Sequence, residues 1–363
     1  MNINKKIKNV KKVKKILIVK NRALGDSIIG LATIQYIKSL DPDVYIAYCL
    51  PSWIIALYSK LQTSVDEYIP LELSGASDWL KLFYKLLFRS GSSNKKFEKF
   101  DLIYELHSSG SSYKFFKLFS ILTATPYFYN NHHKKQGGKQ AAIERDLEGV
   151  WQLFKCIRKE KLPFPDYLKF FPKAVVKKIY TSSVGNKNNE RFIVLGISAS
   201  RMTKVWPIEN FIKLIDLILR VKPDVKFIIP ISADFQIDRE VEELFSKNIS
   251  DNLNKNILII KENLTELPLY IARAYLYIGN DTGLKHLSVA IGLKTFTFFG
   301  PDSPTEWHPY DPLKHPYFYI GSNELSCRTK KEHYCRMSVC DNTFDCLKLI
   351  TVDDVFKVVS EDL

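Results

Sequence analysis

The chain has 363 residues, 46% of them hydrophobic and 25% charged, and its 53 basic and 39 acidic side chains give a net charge of +14. That balance suits a soluble globular protein with room for two domains, each with its own core. No apolar run approaches the ~20 residues that a membrane-spanning helix needs, and the positive excess points to polyanions: nucleic acid, anionic lipid surfaces or phosphorylated substrates.

The first twenty residues carry eight lysines and no acid, and Ile16–Val19 is too short for the apolar segment of a signal peptide, so the expected location is the cytoplasm. Lys15–Lys20 is a short buried strand, Asn21–Asp26 a turn, Ile28–Leu40 an amphipathic helix and Val44–Cys49 a second strand. This is a β-α-β unit, the opening of a doubly wound sheet. Asp78–Phe88 reads as a basic amphipathic helix, either packed on the sheet or lying on an anionic membrane. Asp101–Leu106 is another strand, followed by a polar loop and a helix from Tyr113 to about Leu122. The basic, glycine-rich stretch 130–139 is a loop, and 181–189 has the composition of an interdomain linker.

A second α/β series follows. Strands at Phe192–Leu195, Lys226–Ile229, Ile257–Ile260, Tyr275–Ile278 and Thr295–Phe299 alternate with helices at Pro207–Arg220, Arg239–Phe245 and Leu267–Ala272. Two domains of this kind predict a cleft where ligands meet. The expected division is residues 1–180, a linker at 181–190, 191–349 with a cysteine-rich segment at 327–346, and a terminal helix at 350–363.

Two loops leave the carboxyl ends of strands in the second series. One is Gly196-Ile-Ser-Ala-Ser-Arg-Met-Thr-Lys-Val-Trp-Pro207, where small residues allow close backbone approach and Arg201 and Lys204 supply charge. The other is Asp281-Thr-Gly-Leu-Lys-His286, with Asp281 or Thr282 capping a helix whose N-terminus presents unpaired N–H groups to an anion. Together they favour a phosphate site. His286 either touches phosphate or ribose or packs its helix, and Trp206 is a core anchor. Cys49 and Cys156 are core fillers. Cys327, Cys335, Cys340 and Cys346 fall within twenty residues and are candidates for a structural zinc or iron site, although no C-x-x-C knuckle is present. Asp41-Pro-Asp43 is turn punctuation rather than a metal motif.

On these blocks the chain resembles the family-9 glycosyltransferases, the ADP-heptose:lipopolysaccharide heptosyltransferases. The resemblance rests on Ile16–Asp26, on Ser198–Phe211 with its K-x-W-P, and on Asp281–His286 with Phe299-Gly-Pro301. It implies a GT-B architecture, two Rossmann-like domains facing across a central cleft. It also implies inverting sugar transfer from a nucleotide-diphospho-sugar without a metal cofactor. Asp26 matches the family's catalytic base. Ser198, Ser200, Lys204, Asp281, Thr282, Gly283, Leu284 and His286 are the expected donor contacts, and Arg22, Gly25, His107, Lys134 and Lys135 the expected acceptor contacts. The expected acceptor is a lipopolysaccharide or lipooligosaccharide core at the inner face of the inner membrane. The segment 230–240 departs from the family pattern, which carries a glycine pair and a glutamate there. Rival readings are a protein-directed heptosyltransferase with a cysteine-bound metal, and a basic nucleic-acid-binding protein, which the lack of a recognition-helix motif disfavours.

Overall fold

The computed structural model describes residues 13–88, 99–107, 110–130, 140–159, 161–178, 190–232, 234–321, 325, 327, 339–340 and 345–363. The chain forms two compact units: residues 1–58 with 63–172, and residues 59–62 with 173–363. In chain order, the first half contains β1 (Lys15–Val19), α1 (Leu24–Leu40), β2 (Tyr45–Pro51), α2 (Ser52–Tyr58), β3 (Leu61–Gln62) and β4 (Glu67–Leu71). It continues with α3 (Ala76–Leu87), β5 (Leu102–Glu105), α4 (Gly110–Thr123), β6 (Tyr127–Tyr129), α5 (Ala142–Arg158) and β7 (Val175–Val176). The second half contains β8 (Arg191–Gly196), α6 (Ile208–Val221), β9 (Val225–Pro230), α7 (Gln236–Asn248), α8 (Asp251–Asn254) and β10 (Ile257–Ile260). Then come α9 (Leu267–Ile271), β11 (Ala274–Asn280), α10 (Gly283–Ile291), β12 (Lys294–Phe299), α11 (Pro304–Trp307), β13 (Tyr317–Tyr319), α12 (Asp345–Lys348) and α13 (Val352–Val359).

Unit 1 is built on a parallel sheet in the order β4-β2-β1-β5-β6. Its central strands are buried on both faces, so they read as unbroken apolar runs such as Ile16-Leu-Ile-Val19 rather than alternating ones. The chain starts at β1, moves out through β2 and β4, then returns to β5 on the other side of β1. A crevice therefore opens beyond the carboxyl ends of β1 and β5. Unit 2 repeats the scheme with the parallel order β10-β9-β8-β11-β12-β13, and its switch lies between β8 and β11.

The core of unit 2 gathers Trp206, Phe211, Phe227, Phe296, Phe298 and Leu347 around the sheet, and α13 adds Val355 and Val359. Trp206 is fully buried, stacks near Phe298 and donates its indole N–H to the Ile350 carbonyl at 3.0 Å. This is the anchoring role expected of it. Thr351 caps α13 by accepting from the Asp354 N–H at 3.2 Å.

Several elements escape the sequence pattern. Glu67–Leu71 contains Pro70, which argues against a central strand, but β4 is an edge strand where a missing N–H is tolerated. The three-residue strands β6 and β13 are also sheet edges, too short to show a period. α1 begins at Leu24 rather than Ile28, so Asp26 belongs to the first helical turn and not to a loop. The compact units divide after Pro172 rather than at 180, because β7 pairs antiparallel with β3 in the second unit. The expected linker at 181–189 lies outside the described residues.

Candidate active site

In unit 1 the crevice is formed by the turn after β1, the first turn of α1 and the residues after β5. Ala23 is the N-cap of α1 and offers no side-chain cap, which leaves Asp26 to supply negative charge to the helix N-terminus. The Asp26 side chain is 12% exposed, with Arg22 Nε 3.8 Å from its carboxylate. Beneath this turn Lys20 is buried and bonded to the carboxylate of Asp146 on α5. Burial pushes the Asp146 carboxyl up, and Lys20 opposes that shift. The base of the helix is fixed from the other side: the Tyr48 phenol donates to the Ser27 carbonyl at 2.9 Å, and the Ser27 and Tyr58 hydroxyls lie 3.0 Å apart.

In unit 2 the two loops singled out in the sequence meet. Val205–Ile208 and Asn280–Gly283 are joined by Asn280, which is fully buried. Its Oδ1 accepts from the Trp206 N–H at 2.9 Å and its Nδ2 donates to the Ile197 carbonyl at 2.9 Å. The approach is close at the strand ends as well. A Cβ at Gly279 would lie 2.6 Å from the Gly196 Cα, so this pair of strands requires glycine there.

Charge is concentrated at this junction. Lys204, in a 3₁₀ turn over Met202–Lys204, places Nζ 3.0 Å from Asp281 and 3.1 Å from Asp302. Lys285, one turn along α10, places Nζ 2.5 Å from the other Asp281 oxygen and donates to the Trp307 carbonyl at 2.7 Å. Arg201 reaches Asp302 at 2.6 Å. Burial would lower the Lys204 ammonium, but Asp281 and Asp302 outweigh it and raise it. Burial would likewise raise the Asp281 carboxyl, yet Lys204 and Lys285 hold it well below the usual carboxylate range. Lys285 itself is drawn down to about 8, chiefly by burial. Among the described residues this sets three cations against two carboxylates, an excess of one positive charge.

Other expected site residues fall as follows. Thr282, not Asp281, is the N-cap of α10, and its side chain makes no capping hydrogen bond; the Tyr277 phenol donates to the Asn280 carbonyl at 2.8 Å. Gly283 and Leu284 open the helix. His286 is buried, with Nδ1 2.6 Å from the Tyr310 hydroxyl, and burial keeps it neutral. The Ser198 hydroxyl donates to Asp238 in the first turn of α7, a carboxylate that also accepts from the Ser232 N–H at 2.7 Å. Ser200 is exposed in the same loop. Gly25 shares the first turn of α1 with Asp26, and His107 follows β5 at the same crevice. Lys134, Lys135 and Cys335 lie outside the described residues. Cys346 is buried in the apolar core and Cys327 is exposed, and among the described residues no His, Cys, Asp and Glu side chains gather into a metal site.

A family model described as "Glycosyltransferase family 9 (heptosyltransferase)" matches residues 122–340. The chain belongs to glycosyltransferase family 9. Lipopolysaccharide heptosyltransferase 1 of Campylobacter coli is 22% identical to this glycosyltransferase over 353 residues, covering 96% of this chain and 98% of that one. Among solved structures, E. coli ADP-heptose LPS heptosyltransferase II matches with a TM-score of 0.70 at 18% identity, covering 96% and 98% of the two chains. The E. coli heptosyltransferase WaaC with ADP matches at 0.63 and 16%, covering 96% and 100%. These structures show that the family-9 enzyme has the GT-B fold class, with its two Rossmann-like units.

The sequence reading did not assign Asp302, Lys285, Asn280, Lys20 or Asp146. Only Lys285 had a local signal: Asp281 and Lys285 stand at i and i+4 on one helix face. The others reach their partners through the sheet, with Lys20 and Asp146 separated by 126 residues.

Proposed function

We propose that this glycosyltransferase moves a heptose from ADP-heptose to a hydroxyl of a lipopolysaccharide core acceptor, with inversion at the anomeric carbon and without a metal. The acceptor is anchored in the inner membrane and met at its cytoplasmic face. The observation that carries the reading is the charge cluster of Arg201, Lys204 and Lys285 around Asp281 and Asp302, set beside the N-terminus of α10. Its excess positive charge and the first N–H groups of the helix suit a diphosphate, and they stabilise the negative charge that develops on it as it leaves. The choice of donor and acceptor is supported by the relatives, which include an ADP-heptose LPS heptosyltransferase and a lipopolysaccharide heptosyltransferase.

Asp26 is the base. Its carboxylate takes the proton of the acceptor hydroxyl as that oxygen attacks the anomeric carbon; the bond to the diphosphate breaks on the opposite face and ADP departs with the electron pair. Lys20 and Asp146 act as positioning residues that brace the turn carrying Asp26.

The test is transfer from ADP-heptose to purified core acceptor in the presence of a metal chelator. Wild-type protein should turn over undiminished, and Asp26→Asn should lose about 10²–10⁴-fold in turnover while still binding ADP. Full turnover by Asp26→Asn rejects the assigned base. Absence of transfer to any core acceptor rejects the substrate pair.

A further inference from the structure

We infer that the outer faces of α3 and α4 in unit 1 dock the protein on an anionic phospholipid bilayer. The two helices lie side by side and run in the same direction. Trp79 meets Phe115 edge-on at 5.5 Å and, one turn on, Phe83 meets Phe119 at 5.3 Å. Their inner faces are satisfied: Leu82, Leu86, Phe115, Phe116 and Phe119 belong to the core. Their outer faces are not polar. Leu80, Tyr84 and Phe88, spaced by four along α3, and Leu118, Ile121 and Leu122 on α4 all stand in water, Ile121 being 69% and Leu122 62% exposed. Tyr84 stacks on Phe88 at 5.7 Å, which makes the α3 ridge continuous.

Single exposed apolar side chains are ordinary; six on two adjoining helices are not. The charge around them selects the partner. Lys81 and Lys85 on α3 and Lys114 and Lys117 on α4 are exposed, and Lys99, also exposed, donates to the Thr123 carbonyl at the end of α4. Asp78 is the one acid on either helix, and it lies 3.9 Å from Lys81. A covering surface must therefore offer hydrocarbon and negative charge together, which an anionic bilayer does for an amphipathic helix lying in its plane. Among the described residues no helix is long and apolar enough to cross a membrane, so the contact is interfacial.

The patch lies toward the C-terminal ends of both helices. The chain leaving α4 enters the amino end of β6 within a few residues, so this end of the unit is opposite the carboxyl ends of the strands where Asp26 stands. Docking here holds the unit at the membrane and leaves the crevice open. The inference rests on the reading above that the acceptor is membrane-anchored, but the two fail separately. Vesicle binding is measured with no sugar present, and transfer is measured on detergent-extracted acceptor with no vesicles.

The experiment is co-sedimentation of the full chain with vesicles of phosphatidylcholine alone or mixed with phosphatidylglycerol. Wild-type protein should bind the mixed vesicles and release at high salt. The L80S/Y84S/F88S and I121S/L122S variants should each bind about tenfold or more weakly. K81E/K85E, whose side chains are exposed and whose fold is therefore retained, should lose about fivefold per lysine or more. Transfer to detergent-extracted acceptor should be unchanged in all three. Equal binding to both vesicle types, or binding by the variants at the wild-type level, overturns the proposal. A change in oligomeric state of the variants with vesicle binding intact also overturns it and makes the patch a contact between copies of the chain.

Discussion

At the switch point of unit 1, Asp26 stands in an open helical turn with Arg22 3.8 Å away, while the ion pair below it, Lys20 with Asp146, is sealed from water. At the switch point of unit 2, the carboxylate that follows β11, Asp281, is itself sealed, with one oxygen 3.0 Å from Lys204 and the other 2.5 Å from Lys285. Both crevices arise from the same reversal of strand order, yet they use charge in opposite ways. One presents a carboxylate to whatever enters. The other spends its carboxylates on holding cations in place. A carboxylate left partly accessible and only loosely paired suits proton transfer, and a buried cationic cluster suits anion binding, because preorganised charge costs no rearrangement when the ligand's charge grows.

The comparison breaks first on stability. Asp281→Asn removes the partner of two buried ammonium groups and should cost about 3–5 kcal/mol, whereas Asp26→Asn, with its loose Arg22 contact, should change stability by less than about 1 kcal/mol. Denaturant unfolding of the two variants measures the contrast, and equal effects would show that the crevices are built alike. Next in size is the glycine pair. Gly279→Ala places a methyl 2.6 Å from the Gly196 backbone and should cost about 1–3 kcal/mol, with weakened ADP binding from displacement of the Asn280 turn.

A third contrast is the pH dependence. Burial lowers His286 well below its ordinary value, His308 to about 3 and His315 to about 4, all three in unit 2. The unfolded chain binds protons that the folded one refuses, so stability is full above about pH 6.5 and declines as pH falls toward 4. The slope is about 1.4 kcal/mol per pH unit for each histidine. Unfolding curves at neutral and mildly acidic pH test this, and His308→Gln should flatten the slope. A stability that rises on acidification would mean the histidines are charged in the fold.

Much of the architecture was legible because its signals are local. Buried parallel strands give unbroken apolar runs, and the helix expected to be capped at Asp281 or Thr282 forms over Gly283–Ile291, closing on Gly292 in a left-handed conformation. The K-x-W-P and D-T-G-L-K-H blocks singled out the two loops that meet in unit 2. What escaped was short, peripheral or long-range: the edge strand with Pro70, the three-residue strands, and the excursion of Leu61–Gln62 into the second unit. The charge partners escaped as well. Lys204 stood out, with Arg201, as a source of charge in its loop, and in the fold its ammonium lies between Asp281 and Asp302.

The amino-acid order therefore determined the element types, the two doubly wound sheets and the loops that carry chemistry, since each depends on neighbours within a few residues of one another. Tertiary structure decided which charges meet. Lys20 finds Asp146 and Lys204 finds Asp281 because the fold brings segments remote in the chain together, and each pair of opposite charges is left together out of water.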